Sequence, residues 1–331
     1  MLRQFQTKIA LGCEVTLLFV SADESNATKI LFNELWIQIF EFENRFSRFL
    51  PSSELSDFNR QAGIRFYLSN EFKALLQAAK ILSEETHGLY NPFILPTLQK
   101  IGYRKSMVAE HSTDDVDDFS HRSIATIEQL EIGYDWGRIP YNTAIDLGGC
   151  GKGYLADILA AYMEHTSAGL VSGYWFSLGG DIVAAGRDAD NLPWKIYVEA
   201  AFDSTQITAE QSNHVGYMVA SDDQRVAVAT SSTLFRGGNQ LGKKWHHIID
   251  PRTGEPSVSG VVSASICDTS ALRADVLASC AIIEGNSAVQ TYTADYAVQG
   301  VLTQTKAHTI RAWGTMHKIK RSITSARGSS V

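Results

Sequence analysis

Residues 144–164, AIDLGGCGKGYLADILAAYME, decide the fold. An apolar run, a cluster of glycines and a second apolar run read as a strand, a glycine turn and a helix. Downstream, WFSLGGDIVAAG (175–186) and PWKIYVEAA (193–201) read as two neighbouring strands, followed by RVAVATSS (225–232) and HHIIDPRTG (246–254). A strand is expected around residues 261–267, then a helix from Ala271 to about Ile283, closed by Gly285. Upstream, residues 8–20 read as a first strand. A long helix follows from Asn26, with Phe32, Leu35, Trp36, Ile39, Phe40 and Phe46 at three- and four-residue spacing. A second helix starts near Ser69 and stops before Gly88. Strands outnumber helices without regular alternation, so the class is α+β, with mixed or antiparallel sheets and packed helices, rather than doubly wound.

The chain has 331 residues, 44% hydrophobic and 20% charged, enough to bury a core without disulfides or a structural metal. Its net charge of −7 argues against a general nucleic-acid binder, which shows a basic face. Cys13, Cys150, Cys267 and Cys280 form no metal-binding spacing; Cys13, Cys267 and Cys280 sit in apolar segments and read as buried free thiols. The N-terminus is a poor secretory signal, because Gly12 and Glu14 interrupt its apolar stretch, and no apolar run reaches 18 residues. The chain as written therefore reads as soluble and non-exported, with no membrane span. Asp114, Asp115, Asp117 and Asp118 lie in a polar connection over 106–128 that lacks the glycine and glutamate of a calcium loop, so a solvated loop is expected.

Three groups of residues can carry chemistry. The turn Gly148-Gly149-Cys150-Gly151-Lys152-Gly153 offers backbone amides, a helix N-terminus and one lysine to a phosphate. It is not a Walker A loop, since Asp146 and Gly153 stand where that pattern needs Gly and Ser or Thr. A purely structural turn would look the same. Asp275 and Ser279 are four residues apart on one helical face, and their hard oxygens suit Mg²⁺; capping at a helix start would explain them equally well. His246 and His247 precede the tight turn Asp250-Pro251-Arg252-Thr253-Gly254 and, on a strand, point to opposite faces, so at most one enters a given site. A histidine there could be a general base titrating near its ordinary pKa, or simply structural.

Taken together, SRFLPSSELSDFN, THGLYNP, AIDLGGCGKGYLAD, SLGGDI, PWKIYV, AVATSS, HHIIDPRTGEP and ALRADVLAS occur in an order and spacing that resembles the ApbE family, from about residue 9 to residue 300. The resemblance implies an ApbE-like (T-fold-like) architecture, one domain over 1–320 and a frayed tail over 321–331. It implies an Mg²⁺-dependent FAD:protein FMN transferase that cleaves the FAD pyrophosphate, attaches FMN to a Thr or Ser hydroxyl of a target flavoprotein and releases AMP. An FAD pyrophosphatase, or an FAD-binding protein without turnover, is the alternative. Carried over residue by residue, the resemblance gives FAD contacts to Leu11, Phe49, Leu89, Tyr90, Asn91, Asp146, Lys152 and Ile249. The metal falls to the Gly149 carbonyl, Asp275 and Ser279, with Ala278 at a neighbouring position that some members use, and proton removal falls to His247. Leu11, Asn91, Ser279 and Gly151 stand where the family usually has Met, Asp, Thr and Ala. Family members are often exported or membrane-anchored, a signal this chain does not show.

Overall fold

A computed structural model describes residues 1–106, 116–167, 169–201, 214–220, 224–240 and 242–319. Its frame is an eight-stranded sheet whose strands lie side by side in chain order, every neighbour antiparallel. They are β1 (Leu2–Ala10), β2 (Cys13–Ser21), β3 (Gly173–Leu178), β4 (Asp181–Gly186), β5 (Val226–Ser232), β6 (Val261–Asp268), β7 (Gly300–Thr305) and β8 (Ile310–Gly314). Two expected single strands are hairpins. The first strand is β1–β2, reversed at Leu11-Gly12, where φ is 56° and 66°. WFSLGGDIVAAG is β3–β4, reversed at Gly179-Gly180 with φ of 67° and 94°. Positive φ at both central residues gives the turn twist that paired strands favour. PWKIYVEAA is not a neighbour of that hairpin. Lys195–Glu199 pairs with His214–Val219 in a separate three-stranded sheet completed by His317–Lys318.

The alternation of strand side chains builds the layers. Leu17, Phe19, Phe176, Leu178 and Val183 face the helices, whereas Val20, Ala184, Val228 and Leu302 face the small sheet. The main helices are α1 (Asn26–Phe46), α2 (Glu54–Arg60), α3 (Asn70–Glu85), α4 (Gly151–Thr166) and α5 (Ala271–Glu284). Ser25, Ser53, Ser69 and Ser270 cap α1, α2, α3 and α5, each hydroxyl accepting from a first-turn amide, an arrangement worth about 1 kcal/mol apiece. Phe19 of β2 stacks on Phe32 of α1, ring centroids 4.1 Å apart. Among the described residues no helix is long and apolar enough to cross a membrane.

The expected strand before the glycine turn lies outside any sheet. Its ladder partner is a side chain: the Asn59 amide donates to the Ile145 carbonyl (2.9 Å) and accepts from the Ile145 N–H (2.8 Å). Asp117 pairs with Arg60 at 2.6 Å and Asp118 with Arg104 at 2.9 Å; Asp114 and Asp115, like the 321–331 tail, lie outside the described residues. Cys150, Cys267 and Cys280 are buried thiols, while Cys13, beside the first hairpin turn, is only half-buried.

Helices α4 and α5 meet at Gly153. A Cβ there would lie 2.5 Å from the Ala271 carbonyl oxygen and 2.7 Å from Leu272 Cα, so only hydrogen fits. Asp157 of α4 seals the contact, its carboxylate accepting from Ala271 N–H (2.9 Å), Leu272 N–H (3.1 Å) and the Ser270 hydroxyl (2.7 Å) at the positive end of α5. Gly153→Ala should therefore lower stability by about 1–3 kcal/mol or more. Gly151→Ala, whose Cβ would meet only the Phe42 ring at 3.5 Å, should stay within about 0.5 kcal/mol of the parent. Thermal melts of the two variants check this, and indistinguishable midpoints would mean that α4 does not depend on the close approach.

Candidate active site

A cleft of ≈ 330 Å³ opens where the glycine turn, α5, the ends of β4 and β5 and the C-terminal end of α1 converge. Leu11, Phe49, Leu89, Tyr90, Asn91, Asp146, Gly149, Lys152, His247, Ile249, Asp275 and Ser279 all line it. Ala278 does not. It is fully buried, its methyl group in the main core, because the helical repeat that turns Asp275 and Ser279 to the cleft turns position 278 away.

Charge is concentrated on the floor. Lys152, in the first turn of α4, reaches Asp181 at the start of β4 in a short ion pair and lies 3.5 Å from Asp275 of α5. Asp275 also accepts from the Gly153 N–H at 3.2 Å, and Asp181 from the Thr230 N–H at 3.0 Å. Burial alone would push the Lys152 ammonium down; Asp181 and then Asp275 outweigh it and hold the group above its usual range. Burial raises the Asp275 carboxyl above the ordinary carboxylate range, and Asp181 adds to this against the pull of Lys152. Two buried carboxylates thus share one lysine, and the Arg236 charge of the cleft lining also favours the ionised Asp275. Beside it the Ser279 and Ser231 hydroxyls sit 2.8 Å apart. Gly148 and Gly149 keep the space over this floor open; a Cβ on Gly149 would touch only the Tyr90 ring, at 3.5 Å.

The walls are aromatic and apolar. Leu11 reaches the cleft from the hairpin tip in a left-handed conformation (φ 56°) uncommon for a non-glycine residue. Ile249 clusters with Leu98 and Tyr103, and Phe49 packs against them. The Asn91 amide is used locally: it caps the short helix Pro92–Ile94 by accepting from Phe93 N–H (3.0 Å) and donates to the Ala125 carbonyl (2.9 Å). It shapes the wall rather than offering a free polar group to the cleft. Asp146 accepts from the Gly148 N–H at 3.0 Å and pairs with buried Arg48 at 3.5 Å.

His246 ends the strand Lys243–His246 and points away, its Nε2 donating to the Ser257 carbonyl at 3.0 Å. His247 follows and lines the cleft. Its Nδ1 lies 3.1 Å from the Arg236 carbonyl, which can only accept, so the proton sits on Nδ1 and the Nε2 lone pair is free. Burial, and then the Arg236 charge, push its pKa down to about 3. This departs from a base titrating near the ordinary histidine value.

Sequence reasoning gave no role to Asp181, Arg48, Tyr103, Thr230, Ser231 or Arg236, all of which line or support the cleft. Asp181 follows the Gly-Gly turn inside a quoted motif and Arg48 precedes Phe49, which are weak signals. Tyr103 carries none, because only the fold brings its ring 5.9 Å from Phe49 and 6.3 Å from His247.

Fold and site together define an enzyme cleft in which a candidate base stands over a buried, oxygen-rich charge cluster. Residues 11–302 match the ApbE family, and the chain belongs to it. It is 26% identical over 277 residues to the FAD:protein FMN transferase of Vibrio cholerae, covering 83% of this chain and 79% of that one. With the enzyme of the same name from Klebsiella pneumoniae it shares 26% over 264 residues, covering 77% and 71%. Its fold is similar to that of the ApbE protein of Thermotoga maritima (TM-score 0.77, 20% identity, 94% and 96% of the two chains). The flavin transferase ApbE of V. cholerae gives a TM-score of 0.74 at 23% identity, over 95% and 97%.

The unfolded chain takes up the His247 proton near pH 6.5, the folded chain only near pH 3. Its contribution to stability is thus intact above about pH 6.5 and is lost as the pH falls toward 3. At pH 5 the imidazole should still be neutral with its proton on Nδ1, as ring ¹⁵N chemical shifts would show. Protonation at pH 6.5 would mean that the ring is not held as described.

Proposed function

We propose that this chain is an FAD:protein FMN transferase acting on a Thr or Ser hydroxyl of a target flavoprotein, with AMP as the second product. The supporting observation is the convergence of Lys152, Asp275, Ser279 and His247, from three separate stretches of sequence, on one cleft.

The residues fit a magnesium ion. Among the described residues no cluster of three or more His, Cys, Asp or Glu side chains has metal-binding geometry. Mg²⁺ does not need one, since it takes one or two carboxylates and completes its shell with other oxygens. Asp275, Ser279 and the Gly149 carbonyl would hold it, and bound there it would withdraw charge from the pyrophosphate as the bridging bond breaks.

This chain's own groups supply the rest. Lys152 at the start of α4 is the cation that meets the phosphate oxygens; the Gly148, Cys150, Gly151 and Gly153 amides are taken by Asp146, the Leu147 carbonyl and Asp275 and shape the turn instead. Leu11, Phe49, Leu89, Tyr90 and Ile249 seat the rings of FAD. The Nε2 of His247 accepts the proton from the incoming hydroxyl, whose oxygen bonds to the FMN phosphorus while the pyrophosphate P–O bond breaks and the electron pair leaves on AMP. A neutral imidazole with a fixed tautomer serves as a base without first losing a proton.

Incubation with FAD, Mg²⁺ and a flavoprotein bearing an acceptor threonine should add the mass of FMN to that protein. Free FMN and AMP with no adduct would establish a pyrophosphatase instead, and unchanged FAD a binding protein. Asp275→Ala and Ser279→Val should abolish transfer, Ser279→Thr should retain it, and EDTA should stop it; full turnover in EDTA would reject the metal ligands. His247→Ala should slow transfer about 10²–10⁴-fold and His246→Ala should change it little. The wild-type rate should run level through pH 6.5 and fall only at more acid pH, because the His247 pKa lies near 3. A limb at 6.5 that disappears in His247→Ala would show that the bound substrate restores an ordinary histidine.

A further inference from the structure

Arg236 stands just past the end of β5, where it lines the cleft. Its main chain is fixed, because the carbonyl accepts from both the His247 N–H and the His247 ring at 3.1 Å. Its side chain is not fixed. The residue is half-buried, yet among the described residues its guanidinium makes no hydrogen bond and no ion pair, and none of its nitrogens is sealed from solvent. The charge is felt inside the cleft all the same. After burial it is the next influence that holds His247 neutral, and it also acts on Lys152 and favours the ionised Asp275. A lysine, a carboxylate and an imidazole on three separate elements share only the cleft, so the guanidinium faces that space.

The other cations there are already matched. Lys152 is in a short ion pair with Asp181 and lies 3.5 Å from Asp275, and buried Arg48 pairs with Asp146. The amides of Gly148, Cys150, Gly151 and Gly153 are occupied as well. In a chain of net charge −7, an accessible and unmatched guanidinium in a cleft favours an anionic ligand. Its planar fork suits a pair of phosphate oxygens. Resting on the FAD reading given above, we propose that Arg236 is a substrate-binding residue whose guanidinium grips the pyrophosphate of FAD as a second cation beside Lys152. One residue then carries two tasks: its side chain holds the phosphate, and its carbonyl fixes the tautomer of the base.

Calorimetry on the intact chain would compare inorganic pyrophosphate and FAD for wild type, Arg236→Gln and Arg236→Lys. A charge-assisted contact predicts that Arg236→Gln weakens both ligands about 10- to 100-fold. The thermal midpoint should stay near wild type, since the guanidinium has no protein partner to lose. Arg236→Lys, which keeps the charge without the fork, should recover part of the affinity. Wild-type affinity for pyrophosphate in Arg236→Gln, or Arg236→Lys binding no better than Arg236→Gln, overturns the proposal while leaving the FAD reading intact. Wild-type protein that binds neither pyrophosphate nor FAD overturns the FAD reading and the proposal with it.

Discussion

Everything in the site depends on the close approach of α4 to α5 at Gly153. The absent side chain lets the start of α4 lie against the Ala271 carbonyl, and the same contact brings the Gly153 N–H to Asp275. Lys152, one residue earlier, is thereby placed between Asp275 and Asp181. Asp157, one helical turn further on, caps α5 and fixes the rotation of both helices. A packing constraint and a charge constraint are therefore met by the same stretch of chain.

Burying two carboxylates and a lysine is unfavourable in isolation, with an effective desolvation penalty of several kcal/mol per ion. The cluster persists because each charge also has hydrogen bonds from the main chain or a second ion to lean on. It faces an open cleft rather than lying sealed in the core.

The opposite wall answers with neutral groups. His247 is kept uncharged by burial and by Arg236, and its tautomer is set by a main-chain carbonyl. Beside it Tyr103, Phe49 and Arg48 form a layered aromatic surface, its one cation matched by Asp146. A charged floor and a largely aromatic wall are thus separate surfaces of one cleft.

The sequence by itself determined the class and the main helices, and its resemblance to the ApbE family supplied the candidate residues that the fold gathers in one cleft. Helical spacing in α1, α3 and α5 and the punctuation of 144–164 are local properties, written in the order of residues. His246 and His247 do point apart, but His247 stands at a bend just past the strand Lys243–His246, so strand alternation alone did not decide it. Only the tertiary structure decided that 8–20 belongs to a hairpin, since a two-residue turn leaves little trace in an apolar run. It also decided that Asn59, eighty-six positions from Ile145, supplies that residue's ladder partner. Arg48, Tyr103 and Asp181 joined the site for the same reason: their partners are distant in sequence, and spacing along one segment carries no information about what another segment brings to its side. The depressed pKa of His247 belongs here too, because burial and the Arg236 charge exist only once the chain has folded.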